Sequence, residues 1–175
     1  MRVAISGKSG CGNTTVSSIV AKTMNYPLIN FTFRMMAKER NVDFWHLSHL
    51  AETDDSIDLE LDKRQVEMAL KHENCVLGSR LAIWVLKEAD LKVYLDASLQ
   101  ERSKRIFSRE GGDFKDKLKE TKMRDERDSA RYKRLYNIDN NETNIADLII
   151  DTNNLEATEV ASIIVSEIKK RLANR

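Results

Sequence analysis

The chain has 175 residues, enough for one domain with a hydrophobic core and too few for two full ones. Apolar residues make up 41% and charged residues 33%, which excludes the disordered and membrane-spanning classes. The 29 basic and 28 acidic residues nearly cancel, so no global field draws a polyanion, and any anion site has to be local.

The first predicted element is a strand at "RVAIS" (2–6), followed by the glycine-rich stretch "GKSGCGNTT" (7–15). A helix comes next, with Val16, Ile19, Val20 and Met24 at helical spacing. A strand at "PLIN" (27–30) leads into a segment from about 31 to 73 that reads as helical throughout and is too long for a simple crossover. Strands are then predicted at "CVLGS" (75–79) and "LKVYL" (91–95), a helix at "LQERSKRIFSRE" (99–110), and a polar helical stretch over 109–136. The last strand is "LIIDT" (148–152), and Val160, Ile163, Ile164, Ile168 and Leu172 repeat along the final helix.

Five short apolar strands alternating with helices predict an α/β fold, a parallel sheet covered on both faces. With a single proline, Pro27, and no linker or repeat, one unit is expected. The start "MRVAIS" has no signal-peptide pattern and no apolar run reaches bilayer length, so a cytoplasmic location with no membrane partner is expected. Cys11 and Cys75 have no CxxC or His spacing near them and read as plain thiols.

Residues 7–14 match GxxxxGK[ST] except that Asn13 replaces the lysine. Gly7, Gly10 and Gly12 let the backbone around Lys8, Ser9 and Cys11 curl, so that its N–H groups and the helix N-terminus face one concavity. That geometry binds phosphate without a lysine, and Thr14 or Thr15 then presents a hydroxyl to Mg²⁺. The plainer reading is a glycine turn that caps a helix. Asparagine donates a hydrogen bond but carries no charge, so the neutralising charge has to come from elsewhere. One source is the row Arg102, Arg105 and Arg109, which falls on one helix face; another is Arg124, Arg127, Arg131 and Arg134; a third is Lys8. The second row is read equally well as a solvated face with acidic partners.

On the helix over 57–72, Glu60, Lys63, Arg64, Glu67 and Lys71 form a solvent face. Two apolar edges, Ile57/Leu61/Met68 and Leu59/Val66/Leu70, flank a stripe of Asp58, Asp62 and Gln65. Buried carboxylates are costly without partners, so the stripe either pairs internally or lines a wet cleft that reads a nucleobase.

With "SGKSGCGNTTV", "FRMMAKERN", "IDLELDKRQVE", "VLGSRLAIW", "ADLKVYLDASLQERSKRIFSREG" and "RYKRLYNIDNN" in view, the chain resembles nucleoside monophosphate kinases over nearly its whole length. The likeness is greatest to the short cytidylate kinases of archaea and some bacteria. It implies a P-loop NTPase fold with strand order 2-3-1-4-5 and a core of residues 1–30, 74–108 and 137–175. It further implies a monophosphate-binding region over 31–73 and a lid over 109–136. By the same resemblance Arg34 and Arg80 hold the acceptor phosphate, Arg105 stacks on the donor base, and Arg109 and Arg131 reach the transferring phosphates. Members of the short type also carry threonine at the position of Asn13. Two departures stand out: Phe31 sits where an aspartate is common, and "VLGSR" replaces "VLEGR".

The expected activity is therefore phosphoryl transfer from ATP, with Mg²⁺, to CMP or dCMP, by a monomer with no nucleic-acid partner. Asn13 and Phe31 leave open a nucleotide-binding module without turnover, and "RYKRLY" an RNA contact.

Overall fold

A computed structural model of the chain describes residues 1–51 and 53–174. In chain order the elements are β1 (Arg2–Gly7), α1 (Asn13–Met24), β2 (Leu28–Ile29), α2 (Phe33–Glu39), α3 (Phe44–Leu50), α4 (Asp55–Leu70) and β3 (Cys75–Gly78). These are followed by α5 (Ala82–Val85), β4 (Leu91–Asp96), α6 (Leu99–Glu110), α7 (Phe114–Tyr136), β5 (Leu148–Asp151) and α8 (Ala157–Ala173). The five strands form one parallel sheet in the order β2-β3-β1-β4-β5. Val3 lies between Val76 and Leu91, and Tyr94 opposite Ile149. Short α5 was not anticipated, because four residues are too few to show a helical period.

Alternation along the strands sends neighbouring residues to opposite faces. Val3, Ile5, Val93 and Leu95 pack with Val16 and Val20 of α1 and Ile164 and Ile168 of α8. Ala4, Leu77 and Tyr94 pack the other way, against Ile83, Leu86 and Ala69. A third cluster of Phe31, Met36, Leu47 and Ile57 holds α2, α3 and α4 together beside the sheet. Each fully buried aliphatic side chain stabilises the fold by about 1.5–3 kcal/mol.

Two helices differ from expectation. On α4, Ala69 faces the sheet and lets the helix come close, which turns Leu70 outward, and Leu59 is likewise exposed rather than part of an apolar edge. Arg64, expected in solvent, lies 4.2 Å over the Phe31 ring and pairs with Glu39 and Glu60. On α7, Thr121, Asp128 and Tyr132 are buried. Its inward face is largely polar and hydrogen-bonded, which is why no apolar period marks it.

The second half of α7 is fastened to the rest of the chain. Asp125 binds Arg102, Asp128 binds Arg80, Arg134 pairs with Asp55, and Tyr136 donates to Asp62. Between α6 and α7 stand Gly111 and Gly112, both at positive φ. Edge-to-face contact of Phe107 with Phe114 closes that corner.

Candidate active site

A cleft of about 1060 Å³ opens beyond the carboxyl ends of the strands, where parallel sheets place their ligands. One wall is the loop from Gly7 to Gly12 with the first turn of α1. Gly10 and Gly12 take φ of 87° and 88°, which side chains other than glycine resist. Gly12 caps α1 with no side-chain bond, so the helix start offers its N–H groups to the cleft. Thr14 and Thr15 are exposed there. Asn13 lines the cleft too, and its Oδ1 accepts from Ser17 Oγ at 3.3 Å, alongside Gly78. A larger residue at 78 would overlap Ser17, so "VLGSR" and this α1 fit each other. Burial pushes the Cys11 thiol up to about 11, against the nearby Arg102, so it stays protonated and inert at neutral pH.

The basic groups divide into those that line the cleft and those that do not. Lys8, Arg80, Arg105, Arg109, Arg124 and Arg131 line the cleft. Lys8 Nζ donates to Asn141 Oδ1 at 2.8 Å, and Asn141 is itself oriented by Asp139. Arg105 lies against the end of β5, bonded to Thr152 Oγ1 at 3.1 Å and paired with Glu101. Arg109 is exposed and pairs with its neighbour Glu110. Arg131 sits between Asp58 Oδ2 at 3.4 Å and Asp128 Oδ1 at 3.3 Å, while Arg80 Nη1 donates to Asp128 Oδ2 at 2.7 Å.

Of the other arginines singled out in the sequence, Arg34, Arg102, Arg127 and Arg134 fall outside the cleft lining. Arg102 is not presented to phosphate as the helical spacing predicts; α7 covers that part of the face, and the guanidinium is locked to Asp125. Arg34 stacks 4.5 Å over Phe44, an attraction within the α2–α3 unit that holds it away from the cavity.

Opposite the loop stands the polar stripe of α4, and the structure brings Asp58, Asp62 and Gln65 into the cleft together. Gln65 Nε2 donates to the Phe31 carbonyl at 2.8 Å, which fixes the amide. Tyr136 Oη donates to Asp62 Oδ2 at 2.6 Å. Burial raises the carboxyls of both Asp58 and Asp62 above the usual range; Arg131 pulls Asp58 back and the Tyr136 bond pulls Asp62 back. Phe31 itself is buried against this wall.

Among the described residues, four buried side-chain atoms lack a hydrogen bond: Asp58 Oδ2, Gln65 Oε1, Ser79 Oγ and Arg131 Nε. All four belong to residues lining this cleft. Asp58 Oδ2 is within ion-pair range of Arg131 without hydrogen-bond geometry.

Sequence reasoning missed several lining residues. Ser79, at the end of β3, carries no motif of its own; its place past a strand end is the signal that would have found it. Residues 152–157, which complete the wall beside Arg105, were not singled out either, whereas Arg124 of the second arginine row does reach the cleft and bonds Ser9 Oγ at 3.2 Å. Among the described residues no cluster of three or more His, Cys, Asp or Glu is placed to hold a metal by itself, and no helix is long and apolar enough to cross a membrane.

Comparison with known proteins adds three findings. The profile of the Cytidylate kinase-like family matches residues 2–154. The chain is 47% identical to "Cytidylate kinase 2" of Borrelia garinii subsp. bavariensis, with 98% of each chain covered, and 39% identical to the cytidylate kinase of Archaeoglobus fulgidus, with 97% of each covered. Among solved structures, an uncharacterized protein from Eubacterium ventriosum superposes with a TM-score of 0.74 at 18% identity, covering 97% of this chain and 98% of that one. Shikimate kinase from Bacteroides thetaiotaomicron gives 0.64 at 16%, covering 99% and 98%; at such identities the likeness concerns fold, and it is to a P-loop kinase. A glycine loop without its lysine, an arginine-lined cleft and a whole-chain match to these relatives converge: the chain belongs to the cytidylate kinase-like family.

Proposed function

We propose that the protein transfers the γ-phosphoryl group of ATP to CMP, and to dCMP, giving the nucleoside diphosphate and ADP. The single observation that carries this reading is the set of four unsatisfied buried atoms, all in the cleft that also holds the phosphate loop. Such atoms each cost about 1–3 kcal/mol, a cost that a polar ligand removes by supplying the missing partners. Gln65 Oε1 and Asp58 Oδ2 offer acceptors to an exocyclic amino group of the kind cytosine carries. Arg80 and Arg131 offer guanidiniums to the acceptor phosphate, and Arg34 joins them if it rotates off Phe44.

On the donor side the backbone from Gly7 to Thr15 takes the polyphosphate, and Arg105, bonded to Thr152 just past β5, takes the base. An oxygen of the acceptor phosphate, ionised at neutral pH, attacks the γ-phosphorus in line. The bond from that phosphorus to the β–γ bridging oxygen breaks, and ADP leaves with the electron pair. No general base and no covalent enzyme intermediate are needed, so positioning and charge neutralisation carry the catalysis. Lys8, Arg109 and Arg131 supply the charge that Asn13 does not. Residues 31–73 act as the acceptor-binding region, and the corner at Gly111 and Gly112 lets the first turns of α7 close as a lid.

The residues present suit Mg²⁺. Thr14, Thr15 and Ser79 line one cleft, the Ser79 Oγ without a hydrogen-bond partner, and a sparse oxygen set fits an ion held mainly by phosphates and water. Such an ion, when bound, neutralises charge on the terminal phosphates.

The test is a coupled assay with ATP and Mg²⁺ against CMP, dCMP, UMP, AMP and GMP. CMP-dependent ADP release, at least about tenfold faster than with UMP, whose base has a carbonyl where cytosine has the amino group, is expected from one matched amino-group contact. Tight binding of ATP and CMP with no ADP formed contradicts the proposal.

A further inference from the structure

Arg102 is not part of the cleft lining, yet it grips the loop that forms one wall of the cleft. Its side chain is 4% exposed. Nε donates to the Ala97 carbonyl at 3.1 Å, and Nη1 donates to the Ser9 carbonyl and to Asp125 Oδ1, each at 3.0 Å. Nη2 donates to Asp125 Oδ2 at 2.6 Å. One planar group therefore joins the turn before α6, the phosphate loop and α7. Arg124, next to Asp125, adds a second tie from α7 to the same residue through Ser9 Oγ.

The grip on a carbonyl has a consequence for an amide. In a planar trans peptide the carbonyl oxygen and the next residue's N–H point in opposite directions. Arg102 is not part of the cleft lining, so a Ser9 carbonyl turned onto it points away from the cavity, and the Gly10 N–H is turned toward it. The packing leaves no slack: a Cβ at Gly10 would lie 2.7 Å from the Arg102 carbonyl oxygen and 2.8 Å from Arg102 Cβ.

We infer that Arg102 is a positioning residue for the donor phosphates: it sets the Ser9–Gly10 peptide with its N–H facing the cleft, and through Asp125 it ties that setting to the position of α7. This rests on the reading of the loop as the donor-phosphate site. The assignment differs from that of a phosphate-binding arginine, because the guanidinium acts only through the backbone that it holds.

The experiment uses the full chain with Arg102→Lys and Asp125→Asn, alone and together. Lysine keeps the charge and loses the planar fork, so it cannot serve Ala97, Ser9 and both Asp125 oxygens at once. Calorimetric titrations give ATP and CMP affinities, and the ¹⁵N–¹H cross-peak of Gly10 reports the peptide. For Arg102→Lys the expected result is an ATP affinity weakened about tenfold or more, the loss of one charge-assisted bond, with CMP affinity within about twofold. The Gly10 peak moves while those of Val93 and Leu95 stay. Asp125→Asn weakens ATP binding less, about threefold, and the double variant loses less than the product of the two. If Arg102→Lys does not fold, Asp125→Asn carries the same test. Equal weakening of ATP and CMP, or unchanged ATP affinity beside normal wild-type binding, overturns the role of Arg102 alone. A wild-type protein that binds no ATP overturns the donor site and this role together.

Discussion

The two walls of the cleft are built on different terms. The loop wall is made of backbone, and behind it the buried Arg102 has every nitrogen engaged within the protein. The α4 wall is made of side chains and holds Asp58 and Gln65, each with a buried oxygen lacking a hydrogen bond, faced by Arg131 with an unsatisfied Nε. A wall complete in itself is already organised before a ligand arrives, whereas a wall with open positions gains from the ligand that fills them. The contrast teaches that affinity for a polyphosphate is set by local chain geometry, and choice of acceptor by long-range placement of a few polar atoms.

The largest effect that would break this contrast is at Gly10. Gly10→Ala places a methyl against the Arg102 backbone at a φ of 87°, so ATP affinity is expected to fall at least about a hundredfold, with stability lower by about 2–3 kcal/mol. Calorimetry and urea denaturation check both, and CMP binding should suffer far less. Next comes Gln65→Leu on the opposite wall. Losing the acceptor Oε1 and the bond to Phe31 should raise the KM for CMP about tenfold or more, with the KM for ATP within about twofold. A matched rise in both constants would erase the division between the walls.

A smaller and opposite effect is expected at Asp62. Burial raises its carboxyl in the folded state, with the Tyr136 bond opposing, so the folded protein binds the proton more tightly than the unfolded chain does. Its contribution to stability is then fully present below the unfolded value near 3.9 and is lost as pH rises through the raised folded one. Asp62→Asn keeps an acceptor for Tyr136 and removes the charge. At pH 7 it should stabilise the fold by about 1 kcal/mol, flatten this part of the pH dependence, and raise the KM for CMP. Denaturation across pH 4–7 decides the sign, and a loss of stability at pH 7 would contradict the account.

Much of this was legible in the sequence wherever one local rule decided the outcome. The five strands and the glycine loop are set by short-range pattern, and the structure places them as read. The stripe on α4 was legible too, since helical spacing alone puts Asp58, Asp62 and Gln65 on one side. Arg102 was misread because spacing fixes which residues share a face of α6 but not what covers that face; α7 does, through Asp125. Arg34 was carried by resemblance, and only the fold shows Phe44 beneath it. The inward face of α7 hid for a related reason: Asp128 and Tyr132 are buried by pairing with distant Arg80 and its neighbours, a kind of burial that leaves no apolar period. Ser79 needed the strand end to be located before it meant anything.

The central claim is that guanidiniums from the α6–α7 side, with Lys8, deliver the charge that asparagine at position 13 withholds. The most direct measurement is the single-turnover rate of γ-phosphoryl transfer in Arg109→Ala and Lys8→Ala, taken side by side at saturating ATP, CMP and Mg²⁺. The account predicts that both fall, by about tenfold to a thousandfold, because the charge is shared. Full transfer by Arg109→Ala, next to abolished transfer by Lys8→Ala, would contradict it and place the whole of the missing charge in the loop.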